Sequence, residues 1–473
     1  MLVICDFDRG IIMTKQPATV KISNYQEGLK LLYQLRLFGT KLGLNNIHRL
    51  LELLGNPQQR MVFYHIAGTN GKGSTAVILQ ALLRITHRKV GLFTSPHLED
   101  FRERIRINDR LIGHREVMGG LREIFPLLPR VSETPGCSHP TYFEAVTALA
   151  CRYFEKMEAD AVVWEVGLGG RLDATNAIVP RVSVITNIDL EHQRYLGDSI
   201  DKIAREKGGV IKDGIPLVTA VKKPAAISRL KKICRERHSL LIDVNRDYYS
   251  QVKDSALDGQ FLDISSPNRI YRNIFLPLAG KHQIINCQTA LAAWEQGDHR
   301  AANISIPRVR QAIRKIRWPG RFEFISGYPD FILDGAHNRA GARACAMTLR
   351  ELSGDRPIIL IIGVLGDKDV KSICRSLVPM AWKVIAVQPG GERGLSSSAL
   401  AKVCRAQTGT KKIPVLARKS LESAIKYCYR ICASDQSGDK LRSPLICITG
   451  SLRLIGEARS VLKNKREAVS GER

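Results

Sequence analysis

Short runs of apolar, often β-branched residues recur along the chain, separated by longer stretches whose apolar positions return every three or four residues. The short runs are Val62–Ala67, Ala161–Val166, Val182–Asn187, Phe331–Asp334, Ile358–Gly363, Lys383–Val387 and Pro444–Thr449. They are nearly continuous rather than alternating, the pattern of strands covered by helices on both faces. Gly, Asn, Asp or Thr closes most of them, as at the end of a strand. The longer stretches Ser74–Arg84, Phe143–Lys156, Ile200–Val210 and Ala399–Thr408 predict helices. Such alternation predicts an α/β protein built on parallel sheets with right-handed crossovers.

Breaker residues divide this pattern in two. Gly297-Asp298-His299-Arg300 ends an apolar helical stretch, and Trp318-Pro319-Gly320 interrupts the chain again. We therefore expect one domain over residues 21–316 and a second over 317–473, each long enough for its own layered sheet. Residues 238–275 alternate polar and apolar positions between turn residues, which predicts antiparallel strands or an irregular insertion. No internal repeat is present, and the polar last ten residues are expected to fray. The longest apolar run, Pro357–Leu365, falls far short of the roughly 20 residues that span a bilayer. Residues 1–13 carry two aspartates and no basic leader, unlike a signal peptide. These features lead us to expect a soluble protein with no membrane partner.

Charge changes the picture more than composition does. With 44% apolar and 25% charged residues the chain is an ordinary globular one, neither coiled coil nor disordered. Yet 72 Lys and Arg face 45 Asp and Glu, a surplus of +27. A positive field speeds the arrival of anions without choosing among them. The basic residues are dispersed and aromatics make up only 6%, little to stack on bases, so nucleic acid is the weaker reading beside ATP or a polycarboxylate. The 11 cysteines are scattered, and Cys428 and Cys432 have poor zinc spacing. Reduced thiols suit a reducing compartment, so a cytoplasmic location is expected.

Candidate chemistry centres on the predicted strand Val62–Ala67, the turn Gly68-Thr69-Asn70-Gly71-Lys72-Gly73-Ser74 and the apolar helix after it. Strand, glycine-rich turn and helix N-terminus form a phosphate cradle, with converging backbone N–H groups and a lysine that reaches the terminal phosphates. The standard P-loop ends Gly-Lys-Ser/Thr, whereas here Gly73 separates Lys72 from Ser74.

That variant turn, preceded by Leu53-Leu54-Gly55-Asn56-Pro57-Gln58, resembles the opening of folylpolyglutamate synthase and dihydrofolate synthase in the Mur ligase superfamily. Further similar motifs follow in order: Thr94-Ser95-Pro96-His97-Leu98, Thr141-Tyr142-Phe143-Glu144, Glu165 to Asn176, and Arg205-Glu206-Lys207. Later come Trp318-Pro319-Gly320-Arg321-Phe322, Asp334-Gly335-Ala336-His337-Asn338, Gly366-Asp367-Lys368-Asp369 and Thr449-Gly450-Ser451-Leu452. The similarity spans about residues 23 to 460. It implies an N-terminal P-loop-type ATPase domain with a parallel sheet, binding ATP and the pterin substrate, and a smaller C-terminal Rossmann-like domain that brings L-glutamate and completes the ATP site.

The reaction so implied is ADP-forming: ATP phosphorylates the carboxylate of a folate or of dihydropteroate, and the amine of glutamate displaces phosphate. Such transfer needs positioned phosphates and cations more than covalent work by the protein. Folylpolyglutamate synthase activity, alone or with dihydrofolate synthase activity, is the first reading. Another Mur-type amino-acid ligase and a nucleic-acid-stimulated ATPase are the rivals.

The resemblance also assigns residues. Lys72, Lys207 and His337 are the catalytic candidates, with Lys207 carrying CO2 as a carbamate. Gly68 to Ser74, Asn286, Arg321 and Asp334 would contact the nucleotide. Ser95, Glu144 and His192 would hold Mg2+, in two sites, and by P-loop logic the Ser74 hydroxyl adds a further contact. By residue type alone Glu144 also reads as a helix-face carboxylate, Ser95 as a turn residue, His337 as a loop cap and Lys207 as an exposed helix lysine. An imidazole on magnesium is atypical. A carbamate requires a neutral amine, its pKa lowered by burial or by a cation such as Arg205. Glu191 stands where the family commonly has Asp, Lys281 where it often has Glu, and Arg339 where it usually has Pro. The protein is expected to act as a monomer.

Overall fold

The structure, a computed structural model, describes residues 22–39, 41–410, 412–433 and 443–470. The leader reading of residues 1–13 lies outside the described residues. The final helix, Leu452–Ser470, continues through most of the stretch expected to fray.

Eight strands form the first sheet, in the order Arg110–Leu111, Ile105–Ile107, Val90–Phe93, Ala161–Glu165, Val62–Ala67, Val182–Ile185, Leu217–Thr219, Leu241–Asp243. From Val90–Phe93 onward the neighbours are parallel, whereas the two short strands at the other edge pair antiparallel. A second sheet of six runs Glu323–Ile325, Phe331–Asp334, Leu445–Thr449, Ile358–Ile362, Lys383–Ala386, Val415–Ala417. It is parallel except for its first pair. Residues 249–276 form a separate antiparallel sheet of three strands, the antiparallel reading of that insertion. Leu241–Asp243, at its start, instead joins the parallel sheet.

The continuous apolar runs become strands because both faces are covered. Every residue of Ala161–Glu165, Val182–Ile185, Ile358–Ile362 and Leu445–Thr449 is buried. The helix Lys72–Leu83 buries all its residues except Lys72 and Ala81, and it packs against Lys281–Gly297, whose Trp294 is fully buried. Each Leu or Ile so buried contributes roughly 1.5–3 kcal/mol. The turn between Val62–Ala67 and Lys72–Leu83 is therefore fixed at both ends.

Parallel pairing places the carboxyl ends of Val62–Ala67, Ala161–Glu165 and Val182–Ile185 at one edge of the first sheet, with the loops that follow them. In the second sheet Phe331–Asp334 and Leu445–Thr449 do the same for residues 335–338 and 450–451. The two sets of loops face each other. No helix among the described residues is long and apolar enough to cross a membrane. Ten described cysteines are free, nine of them buried and Cys137 half-buried.

Candidate functional site

A cavity of about 510 Å³ opens between the facing loops. Its floor is the glycine-rich turn. Gly71 is the N-cap of Lys72–Leu83 at φ +84°, and no side chain caps that end, so the first N–H groups of the helix are free for an anion. A Cβ on Gly71 would also stand 2.4 Å from Asn286 Oδ1. The unexpected Gly73 has a packing reason, since a Cβ there would meet Trp318 Cζ2 at 2.8 Å. Gly73→Ala should therefore displace the indole, costing ~1–3 kcal/mol of stability and raising the KM for ATP; unfolding and initial-rate measurements on one preparation check both.

The candidate nucleotide residues converge. Lys72 Nζ donates to Gly68 O at 3.1 Å and Thr69 O at 3.3 Å, and Asn70 N donates to Asn187 Oδ1 at 2.8 Å. Thr69 to Ser74, Asn286, Arg321, Asp334 and His337 all line the cavity. Asp334 accepts from Phe322 N and Ala336 N at 2.8 and 3.0 Å. Burial pushes its pKa up, with Arg321 opposing, while burial pulls the Arg321 guanidinium down. Gly68 stands just behind the wall and accepts from Lys207.

Of the metal candidates, Ser74, Ser95 and His192 line the cavity and Glu144 does not. Glu144 accepts from Thr141 N at 2.7 Å, Thr141 Oγ1 at 2.9 Å and Asn46 Nδ2 at 3.4 Å, closing the capping box of the helix Tyr142–Lys156. All three bonds fall on Oε2, so the capping box leaves the other carboxylate oxygen, Oε1, without a hydrogen bond among the described residues. Of the carboxylates that line the cavity, Glu165 ends the strand beside the cradle, 4% exposed and accepting from Ser95 N at 3.0 Å. Burial raises its pKa, and Lys72, Ser95 N and Arg321 oppose the rise. A buried carboxylate ending a central strand beside the cradle was the signal that sequence reading passed over.

Lys207 is buried, 5% exposed, contrary to the exposed-lysine reading, and its Nζ donates to Gly68 O at 2.9 Å. Its pKa is brought down to about 7 by burial first and Lys72 second. Arg205, the cation expected to do this, is exposed and takes no part. The motif Glu165 to Asn176 shapes the wall beside it: Asp173 accepts from Leu168 N at 2.7 Å and Thr175 N at 3.0 Å.

The two halves also touch at Glu191. Asn338 Nδ2 donates to Asn70 Oδ1 at 2.9 Å and to Glu191 Oε1 at 3.1 Å, while its own Oδ1 caps the helix Arg339–Leu352. Burial pushes the Glu191 carboxyl up, but Asn338, His337 and His192 bring it below its ordinary range. His337 Nδ1 donates to Gly335 O at 2.8 Å, which leaves Nε2 as the basic nitrogen of the neutral ring, 3.8 Å from Glu191 Oε1. Burial holds His337 below the usual histidine value. Lys281 pairs with Glu351 at 2.6 Å and Arg339 is exposed, both outside the cavity.

The site's donors suit magnesium. Among the described residues no three His, Cys, Asp or Glu side chains gather as for zinc. Two hydroxyls and one buried carboxylate beside a phosphate cradle are the oxygen donors that Mg2+ takes with waters and substrate phosphates.

Two family descriptions match the chain: the Mur ligase middle domain over residues 66–294 and the Mur ligase glutamate ligase domain over residues 320–451. A Bacillus subtilis protein named dihydrofolate synthase/folylpolyglutamate synthase is 34% identical over 363 residues, covering 76% of this chain and 84% of its own. One of the same name from Mycobacterium tuberculosis is 35% identical over 435 residues, covering 88% and 89%. Among solved structures, Mycobacterium tuberculosis folylpolyglutamate synthase complexed with ADP superposes with a TM-score of 0.85 at 33% identity, covering 93% of this chain and 99% of its own. E. coli FolC in complex with DHPP and ADP gives 0.80 at 27% identity, covering 96% and 100%.

Proposed function

The chain belongs to the folylpolyglutamate synthase/dihydrofolate synthase family of Mur ligases, and on that premise we propose how its own residues perform the reaction. The protein is an ADP-forming ligase that joins a folate carboxylate to the amine of L-glutamate. The observation that carries this reading is the placement of the uncapped phosphate cradle, Glu165, Arg321 and His337 in one cavity.

In the first step a carboxylate oxygen of the acceptor bonds to the γ-phosphorus of ATP, and the bond from that phosphorus to the β–γ bridging oxygen breaks. The N–H groups at Gly71–Ser74 and the Lys72 ammonium hold the phosphates, and Arg321 offers its planar fork to the oxygens of the group in flight. Ser74, Ser95, His192 and the unbonded Oε1 of Glu144, with Glu165 beside the cradle, would hold Mg2+, which supplies charge neutralisation on phosphate oxygens. In the second step the glutamate nitrogen bonds to the acyl carbon and phosphate departs. His337 Nε2, left basic by the Gly335 bond, accepts the proton that the amine sheds. Asn338 and Trp318 close the second half over the cradle and exclude water, which would hydrolyse the acyl phosphate.

Lys207 takes up CO2 as a carbamate: the neutral amine adds to carbon and loses one proton. With a pKa of about 7, Nζ is largely neutral at pH 8 and protonated at pH 6. A carbamate carbon signal with 13C-bicarbonate should therefore be present at pH 8, lost by pH 6 and absent in Lys207→Arg. The sign for stability follows too. An unfolded lysine titrates near 10.4, so between about 7 and 10 the unfolded chain binds more protons and this group's penalty shrinks as pH rises.

The helix Ile306–Arg314 packs on the strand Ile270–Leu276 and on the helix Lys72–Leu83, which favours the domain division 21–316 and 317–473. Both sides of the cavity come from one chain, which supports a monomer, and the free thiols support a cytoplasmic location. Glutamate incorporation with ATP, tested separately on dihydropteroate and tetrahydrofolate, tests the function. One ADP per amide is expected, and no nucleotide consumption with either acceptor would overturn it.

A further inference from the structure

A second cavity, of about 190 Å³, lies on the far side of the wall formed by Pro96, Arg321 and Leu452, which line both. Its other walls come from both halves of the chain: Thr94, Arg106 and Leu111 from the first sheet, Trp318 and Arg459 from beyond it. The charges around it are unequal in their freedom. Glu103 spends its oxygens on Leu98 N, Glu99 N and Asp100 N at 2.8–2.9 Å. Glu99 is paired with Arg459 at 2.6 Å, and Arg459 pairs with Glu323 as well. Arg106 has no carboxylate within ion-pair distance among the described residues, and of the wall arginines only Arg321, shared with the first cavity, is likewise unpaired. Its Nε donates to Glu103 O at 3.0 Å, its guanidinium carbon stands 5.6 Å from the Trp318 ring centre, and its two terminal nitrogens make no bond within the described residues. A half-buried guanidinium left without a counter-charge is costly unless an anion completes it.

We propose that this cavity is a carboxylate subsite, in which Arg106 holds a non-reacting carboxylate of a glutamyl group while the reacting centre lies across the Pro96–Arg321 wall. The inference rests on the ligase reading above and extends it. Two molecules of that reaction present such a group, the γ-glutamyl tail of a folate acceptor and free L-glutamate. The fork takes a carboxylate in two parallel N–H···O bonds, and the indole face of Trp318 fixes the plane of the fork. The volume, about 190 Å³, is ample for one glutamyl side chain.

The test is calorimetric and needs no turnover. γ-Glutamylglutamate and L-glutamate are titrated into the full chain and into Arg106→Gln, Arg106→Lys and Leu111→Glu. The last leaves Arg106 in place and adds a negative charge to the wall. The wild type should bind at least one of the two, Arg106→Gln and Leu111→Glu at least tenfold more weakly, and Arg106→Lys in between. Loss confined to the dipeptide assigns the subsite to the acceptor's tail, and loss confined to L-glutamate assigns it to the incoming amino acid. Equal binding by wild type and Arg106→Gln, or no measurable binding of either probe to the wild type, overturns the proposal. Lys72→Ala separates the two readings, because it should abolish ADP formation and leave the dipeptide's affinity unchanged. Steady-state kinetics add a second arm: Arg106→Gln should raise the KM for tetrahydrofolate or for glutamate about tenfold, leaving the KM for ATP as it was.

Discussion

Lys72→Ala should lower ADP formation with folate and glutamate by at least 10²–10³-fold, the loss that follows removal of one preorganised group from developing charge. Lys72 begins the helix at the cradle, and its ammonium hangs over the turn on two carbonyls, so the side chain adds nothing to the core beneath it. Thermal unfolding should accordingly move little while the rate collapses. A second consequence distinguishes loss of the charge from general damage. Lys72 is one of the two causes that hold Lys207 down, so its removal should raise the Lys207 pKa and weaken the carbamate signal at pH 8. Turnover within threefold of wild type would remove the cradle from the mechanism.

The positive surplus of the chain acquires a local meaning at this site. Lys72 and Arg321 line one cavity with Glu165, Glu191 and Asp334, while Lys207 is buried against Gly68 of the cradle, and burial lowers the pKa of both Lys207 and Arg321. ATP, a folate tail and glutamate are all anions, so their binding offsets the repulsion among these cations. Closure of the two halves is coupled to the same charges through Asn338, which links the cradle residue Asn70 to Glu191. The longer arm of Glu191, in place of the family's usual Asp, is what brings a carboxylate to that amide.

Legibility in the sequence followed burial. All seven strands expected from continuous apolar runs are present within two residues of their expected ends, because a strand covered on both faces must be apolar at every position. Ile105–Ile107, Arg110–Leu111 and Glu323–Ile325 were missed, being two or three residues long, polar in part and at or next to a sheet edge, and so were Val90–Phe93 and Leu217–Thr219, which are buried but only four and three residues long. The same edges supply the antiparallel pairs of otherwise parallel sheets. The cradle was legible because its glycines, lysine and flanking elements are consecutive. Glu165, Glu191 and the Asn338 bridge were not, since each owes its place to loops that meet only after the sheets are built. Lys207 lay in a stretch that reads as an amphipathic surface helix, and its burial comes from the turn at Gly68 rather than from its own neighbours.

Glu165 and Glu144 should differ in what their loss costs the fold. Glu165→Gln keeps the shape and the acceptor for Ser95 N but removes the negative charge from a cavity lined by Lys72 and Arg321. Turnover should fall by about 10² or more, and the magnesium dependence of the remaining rate should shift to higher concentration, with little change in unfolding. Glu144→Ala strips the capping box of Tyr142–Lys156 and leaves Thr141 N and Thr141 Oγ1 without their acceptor. It should cost ~1–3 kcal/mol of stability and, because it also removes Oε1 as a candidate metal oxygen, move the magnesium dependence to higher concentration. The two carboxylates are equally buried, both 4% exposed, so burial cannot tell them apart. What differs is the partner set: Glu144 Oε2 holds Thr141 and Asn46 at the start of its helix, and Glu165 lies in a cavity lined by Lys72 and Arg321. A Glu144→Ala protein that loses stability yet keeps the wild-type magnesium dependence would take the metal away from that helix.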